Sequence, residues 1–543
     1  MKLKKISAIL LTFLTITSSA ATANAAVIGK NGQINAYSST GYNSLATADE
    51  ADFSALPSYY NGKEELNLYP PRVQKYNACW AYAGTAAFEA KLAKSSITAE
   101  RQSETFINYF GTPESDNTGW IRSYTDSGYS YITVGAFTSW SAPLFEEQFP
   151  LDTQYSGFRN LTKDLYPSYG ATAIEYLDGT DRDDIKRAII RDGAVVASFS
   201  SLGIYFSSDN TSYCFPKSSP SNEINGHTIA LVGWDDSYSK ENFSYPPEND
   251  GAFLVKNSWG VNNSLGGYFW ISYEDKYLFD PMFGYGYSVR DFEAIDEKDN
   301  IYQNEIYGAT YEYTPHFQEG EITYISQFDF KKGYTNLDKI VFETLSSGLP
   351  YTVYFIPVED GMPTSDTSKW TELYSDVTDY SGYICADIDD YTVKEGKGAV
   401  GIKMTKTSGE STALPQIGVC EWLTQLSPDN FIFRNKAEYG KCFISYNGTM
   451  TDLMDDYKNK NDTIGGTFVI KAIADTGESF VQIIGDTDLD IKLSIKDVTL
   501  IQKYLANIEE LTRLQKKNAD FNKNDKIDIT DATSIQRSIA NSI

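Results

Sequence analysis

Cys79, His227 and Asn257 are the residues of this 543-residue chain whose types and spacing add up to a reaction. Cys79 lies in Gln74-Lys75-Tyr76-Asn77-Ala78-Cys79-Trp80-Ala81-Tyr82. His227 follows 148 residues later in Asn225-Gly226-His227-Thr228, and Asn257 comes a further 30 on in Lys256-Asn257-Ser258-Trp259-Gly260. An imidazole beside a thiol takes its proton and leaves a thiolate–imidazolium pair. An amide oxygen on the other ring nitrogen fixes tautomer and orientation, and an indole over that bond keeps water out. Gln74 offers a side-chain N–H to an oxyanion, alongside the backbone N–H of Cys79. A cysteine by itself is more often a buried structural residue, so the set of three carries the reading. The second histidine, His316, has no partner motif and reads as a surface or packing residue.

The elements that must hold this set are legible nearby. From Trp80 to Lys94 the chain is apolar on nearly every side, with one glycine and no proline, which predicts a central buried helix. Cys79 then sits at its first turn, where unpaired N–H groups and the helix dipole lower a thiol pKa. A second helix is expected over 99–110 and a third over 185–191, ending at Gly193. Strands are expected over 194–199, 228–234, 251–257 and 268–273. Helices first and an antiparallel β region after them predict an α+β unit of two lobes.

Composition bounds the rest. A net charge of -27 excludes a basic nucleic-acid face. Five cysteines leave at least one thiol unpaired, and Cys79 is the candidate; Cys214, Cys385, Cys420 and Cys442 are too scattered for a disulfide framework. Residues 1–25 read as a secretory signal peptide, with Lys2, Lys4 and Lys5 before an apolar run and Ala23-Asn24-Ala25 at the cleavage site. No apolar span of transmembrane length follows. Residues 26–55 read as a linker or short prosegment.

Cys79-Trp80-Ala81-Tyr82, Gly226-His227 before a strand ending Val232-Gly233-Trp234, and Asn257-Ser258-Trp259-Gly260 together resemble the papain-like (C1 family) cysteine peptidases. The resemblance covers 56–290. It implies a helical lobe with the cysteine, a β-rich lobe with histidine and asparagine, and substrate in the cleft between them, without a catalytic cofactor. It also implies that Ser127-Gly128 binds the substrate backbone. Three departures stand out. The step from Gln74 to Cys79 is five positions where the family usually has six, Lys75 replaces a common glycine, and Ala78 replaces a small polar residue.

Residues 291–475 carry short apolar alternations separated by turn residues: 324–330, 338–343, 351–357, 398–403, 442–446 and 467–471. That pattern predicts an all-β sandwich. It resembles the lectin-like domain that follows papain-like domains in some bacterial secreted peptidases, which implies either a stabilising role or a glycan or cell-surface ligand. After a linker at 476–484, residues 485–543 repeat at an offset of 34, so that Asp497, Thr499, Ile501 and Gln502 recur as Asp531, Thr533, Ile535 and Gln536. Oxygen side chains stand at loop positions 1, 3, 5, 9 and 12: Asp486, Asp488, Asp490, Ser494 and Asp497, then Asp520, Asn522, Asn524, Asp528 and Asp531. Such spacing folds hard ligands round structural Ca²⁺. Position 6 is Ile491 and Asp525 where glycine is usual. A calcium loop followed by a helix, twice, resembles a small α-helical type I dockerin. The family implies docking onto a cohesin domain of a cellulosome-like scaffold, read by Ile495-Lys496 and Ile529-Thr530.

The reading that follows is a secreted cysteine endopeptidase that hydrolyses peptide bonds of a protein or peptide substrate, brought by its dockerin to a cell-surface or cellulosome-like, polysaccharide-degrading complex. The alternative is an inactive papain-like homologue serving as a scaffold-borne adhesive component, on the strength of the shortened Gln74 loop. A cell-wall amidase is a third class, against which the Asn257-Ser258-Trp259-Gly260 motif argues.

Overall fold

The computed structural model describes residues 56–543 except 98–100, 115–117, 147–148, 150–166, 222, 296–298, 314–319, 407–414, 422, 426–431, 460–464, 478–483, 489–492, 507, 510, 512, 525 and 542–543, together with a strand pair at 27–28 and 34–35. The signal-peptide reading and His316 lie outside the described residues, as do Asp490, Ile491 and Asp525.

The helix Cys79–Lys94 runs through the centre of the first lobe, with twelve of its sixteen residues buried. Its run of alanines lets neighbours approach on all sides, and Trp80, Phe88 and Leu92 fill the gaps between them. The second helix begins at Glu104, not near 99, because Ser103 takes an extended conformation and its hydroxyl accepts the Phe106 N–H, fixing the start by capping. The third spans Arg182–Asp192 and stops at Gly193, whose φ of 91° no side-chain-bearing residue adopts readily.

The second lobe is an antiparallel sheet in which Val195–Ser200, Gly226–Asp235, Ala252–Lys256 and Tyr268–Ser272 are successive neighbours. Register on the first pair sets Phe199 opposite His227. All four strands fall where the sequence indicates, within a residue or two.

The β region departs from the sequence expectation in two ways. The stretches 324–330 and 338–343 belong to one strand, Gly320–Thr344, which pairs along its length with Gly382–Lys406 through bulges near 330–334 and 337–339. Lys331-Lys332-Gly333, which has the composition of a turn, is absorbed as an irregularity in a continuous ladder. The β region is also not packed apart from the first unit. Gly286–Ala294 runs across position 290 and pairs with Tyr169–Leu177, which in turn pairs with the start of Gly382–Lys406. Gly119–Ile121 pairs with Ile432–Arg434. One core cluster holds Trp80, Phe110 and Trp120 together with Tyr307, Val341, Tyr383, Phe433, Val469 and Ile473. Gly135 marks how closely the two parts approach, since a Cβ there would lie 2.1 Å from the Tyr307 carbonyl oxygen.

The C-terminal segment forms its own small core of Val498, Ile501, Leu511, Ala519, Ala532 and Ile535, with helices Ile495–Leu505 and Ile529–Asn541 packed together. Among the described residues no helix is long and apolar enough to cross a membrane.

Candidate active site

Backbone pairing draws the segments of the site together. Gln74 N–H donates to Ser258 O at 2.7 Å, Gly260 N–H donates to Arg72 O at 2.9 Å, and Val73 bridges to Trp259. The loop before Cys79 is thus zipped to the loop after Asn257. Cys79 opens its helix, His227 is the second residue of its strand, and Asn257 follows the end of the next strand.

The three side chains meet. His227 Nε2 lies 2.9 Å from Asn257 Oδ1, which also accepts the Ser258 N–H at 2.8 Å and is thereby fixed as the acceptor. Nε2 therefore carries a hydrogen, and Nδ1 is left to the thiol. Trp259 stacks on the imidazole with centroids 4.7 Å apart and planes at 26°, and Phe199 meets it edge-on at 5.8 Å. His227 is 6% exposed, so its bond to Asn257 is shielded from competing water. Burial acts to raise the pKa of Cys79. The hydrogen bond and charge of His227, with hydrogen bonds from Thr228, outweigh burial and leave the thiol below its ordinary value. All five cysteines are free thiols. Burial pushes Cys214, Cys385 and Cys442 up to about 12 and Cys420 well above its usual range, so Cys79 is alone in being lowered. Thr228 was not singled out in the sequence. Its contact with the thiol depends on strand placement, and its position next to His227 is the only signal for it.

The repeat at the C-terminus forms two matching loops. Asp497 accepts the N–H groups of Asp488 at 2.9 Å and Ser494 at 2.7 Å, and 34 residues on Asp531 accepts those of Asn522 at 3.1 Å and Asp528 at 2.9 Å. Carboxylate oxygens of Asp486, Asp488 and Asp497 lie within 4.8 Å of one another. Asp486 and Asp497 are buried, and a tight, partly buried set of three carboxylates fits a hard divalent cation. Ser494 and Asp528 cap the helices that follow, accepting the Lys496 N–H at 3.2 Å and the Thr530 N–H at 2.6 Å. In the second loop Asp520 accepts the Asn524 N–H at 3.1 Å. Ile495 and Ile529 open the two helices and are 61% and 57% exposed, beside the exposed Lys496 and Thr530.

Comparison with known proteins identifies the families of both regions. The model described as papain family cysteine protease matches residues 57–279, and the one described as dockerin type I domain matches residues 484–540. The chain carries a papain-family cysteine protease domain and a type I dockerin domain. Two solved structures of the clostridial cysteine protease Cwp84 share its fold. One, comprising the cysteine protease and lectin-like domains of that surface-layer-associated protein of Clostridium difficile, is 28% identical with a TM-score of 0.70, covering 83% of this chain and 94% of that one. The other, after propeptide cleavage, is 29% identical with a TM-score of 0.68, covering 78% and 100%. An uncharacterized peptidase C1-like protein of Acanthamoeba polyphaga mimivirus is 35% identical over 114 residues, 20% of this chain; the match spans about a third of that relative, 32% of its length.

The papain-family domain accommodates its shortened loop by backbone strain. Tyr76 takes a φ of 57°, a left-handed conformation costly for a bulky residue, and so turns the chain within five positions. Gln74 is held at the site. Its Oε1 accepts the Ser258 hydroxyl at 2.6 Å, while Nε2 donates to Tyr76 O at 3.0 Å through one of its two amide hydrogens. Ser127-Gly128 packs against Trp80. A Cβ on Gly128 would lie 2.3 Å from the Trp80 indole, and Ser127 O accepts from Arg122 Nε at 2.9 Å, so this backbone is pressed against the residue after Cys79.

Proposed function

We propose that the protein is a secreted cysteine endopeptidase in which Cys79, His227 and Asn257 perform the reaction. The lowered pKa of Cys79 against His227, with His227 fixed by Asn257 at 2.9 Å, carries this reading. The Cys79 thiolate attacks the peptide carbonyl. The Cys79 backbone N–H and the free amide hydrogen of Gln74 hold the oxyanion, a class of interaction whose loss costs about 10²–10³ in rate. The proton on His227 passes from Nδ1 to the leaving amine, and water, activated by the then neutral imidazole, hydrolyses the thioester. Ser127-Gly128 lies along the path of the substrate backbone. The test is hydrolysis of a casein digest by the full chain. Turnover that vanishes in Cys79→Ala supports the reading, and turnover that persists refutes it. The second reading, an inactive adhesive homologue, draws on the bond from Gln74 Nε2 to Tyr76 O, which occupies part of the oxyanion donor.

The dockerin would deliver this peptidase to a cohesin-bearing, cellulosome-like scaffold at the cell surface. Asp486, Asp488 and Asp497 would hold Ca²⁺ in the first loop and Asp520, Asn522, Asn524 and Asp531 in the second, and the ion would tie each loop to its helix. Ile495-Lys496 and Ile529-Thr530 present the exposed face for the cohesin. The β region would add contact with a glycan or other surface ligand; the lectin-like domain named in the Cwp84 structure supports this by analogy.

A further inference from the structure

We propose that the β region binds a neutral saccharide in a cavity of about 460 Å³ on the outer face of its main sheet. The proposal rests on reading this region as a surface-binding module and is independent of the peptidase site. The floor is built by three adjacent strands, with Thr323 in register with Lys403 on one side and Ser445 on the other. Tyr354, on the next strand, and Trp370 form the wall, and the turn at Asn447 forms the rim.

Three features select the ligand class. First, Thr323 and Ser445 are largely buried residues of the sheet that nevertheless reach the cavity. Both carry a hydroxyl on the lining of the cavity. Each offers a donor and an acceptor, the pairing that a sugar hydroxyl needs. Second, Tyr354 and Trp370 are half-buried and set at 60° with centroids 5.6 Å apart. The Trp370 indole is anchored by its N–H to Thr364 O at 2.9 Å. A fixed aromatic corner accepts the C–H face of a pyranose ring with little loss of side-chain entropy. Third, the charges balance. Lys403 Nζ lies 3.6 Å from Glu321 and 5.4 Å from the Tyr354 ring centre. One cation matched by one anion recruits no anionic ligand, while both groups bond neutral hydroxyls. The volume falls within the ~300–1,000 Å³ of small-molecule sites.

The test is calorimetric titration of the full chain with cellobiose and, separately, with N,N′-diacetylchitobiose, to about ten times a millimolar Kd. Saturable heat with at least one disaccharide is expected, weakened about tenfold by Tyr354→Ala and by Ser445→Val, and unchanged in Cys79→Ala. Variants whose thermal midpoint matches the parent carry the comparison, and Thr323→Val replaces Ser445→Val if the latter fails to fold. Heat that is insensitive to all the cavity variants overturns the proposal. If neither disaccharide gives heat but the folded chain is retained on insoluble wall polysaccharide, the cavity is refuted and the module reading survives. If there is no retention either, both fall.

Discussion

The papain-family unit should not fold without the β region that follows it. A chain ending at position 295 loses six large side chains from the core around the Cys79 helix: Tyr307, Val341, Tyr383, Phe433, Val469 and Ile473, each 2% exposed or less. At about 1.5–3 kcal/mol per buried side chain, their loss removes on the order of 10–15 kcal/mol of burial, which equals the whole stability of a typical domain. It also strips strand partners from Tyr169–Leu177 and Gly119–Ile121. A point variant in the full chain tests the same contact more gently. Gly135→Ala places a Cβ 2.1 Å from Tyr307 O, and the backbones must part. The assay is far-UV circular dichroism on heating for the chain cut at 295, the chain cut at 477 and the full chain. The 295 fragment should show no cooperative transition, the 477 fragment should melt and label at Cys79 like its parent, and Gly135→Ala should melt several degrees lower. A 295 fragment that melts cooperatively within a few degrees of the parent refutes the shared-core argument.

Three further outcomes are expected. Asn257→Ala removes the acceptor for His227 Nε2, a hydrogen bond to a charged group worth about 1.5–3 kcal/mol, so kcat/KM for peptide hydrolysis should fall roughly 10–150-fold while the melt is retained; a fall below twofold contradicts the role given to Asn257. Glu312 and Glu343 are buried beside each other between the β region and Tyr176; burial and then their mutual repulsion hold Glu312 well above the carboxylate range, and burial lifts Glu343 to about 7. The folded state therefore keeps protons that the unfolded chain releases above its ordinary carboxylate pKa, so stability is full at acid pH and declines as pH rises through about 7; melting scans from pH 5 to 8 should show that decline, and Glu312→Gln should reduce it. Chelation with EDTA should abolish cohesin binding and the melting transition of residues 484–540 while leaving labelling of Cys79 intact, and Asp497→Ala should do the same without chelator; cohesin binding unchanged in excess EDTA contradicts the calcium assignment.

The site was legible in the sequence because its parts are local signals. An all-round apolar run fixes the Cys79 helix, and short strands flanked by turn residues carry His227 and Asn257. The two acidic loops of the dockerin were legible because their oxygen side chains repeat at a fixed offset. What escaped depends on distance along the chain. The pairing of Gly382 with Glu175, or of Phe433 with Trp120, leaves no periodic trace near either residue. The single strand Gly320–Thr344 escaped for the opposite reason, since Lys331-Lys332-Gly333 has the composition of a turn and only the long partner Gly382–Lys406 carries the ladder through it. Thr228 and the Tyr354–Trp370 corner were hidden because their roles arise from strand register. The strained Tyr76 resolves the missing residue between Gln74 and Cys79, which the sequence shows as a gap without showing how it is closed.

The central claim is a working thiolate–imidazolium pair at Cys79 and His227. The most direct test is the intact mass of the folded full chain after an epoxide cysteine-peptidase inactivator at pH 6, followed by peptide mapping. One adduct is predicted, on Cys79 and on none of the four raised thiols, and it should be lost in His227→Ala. A folded chain that takes no adduct, or one that labels equally without His227, contradicts the account.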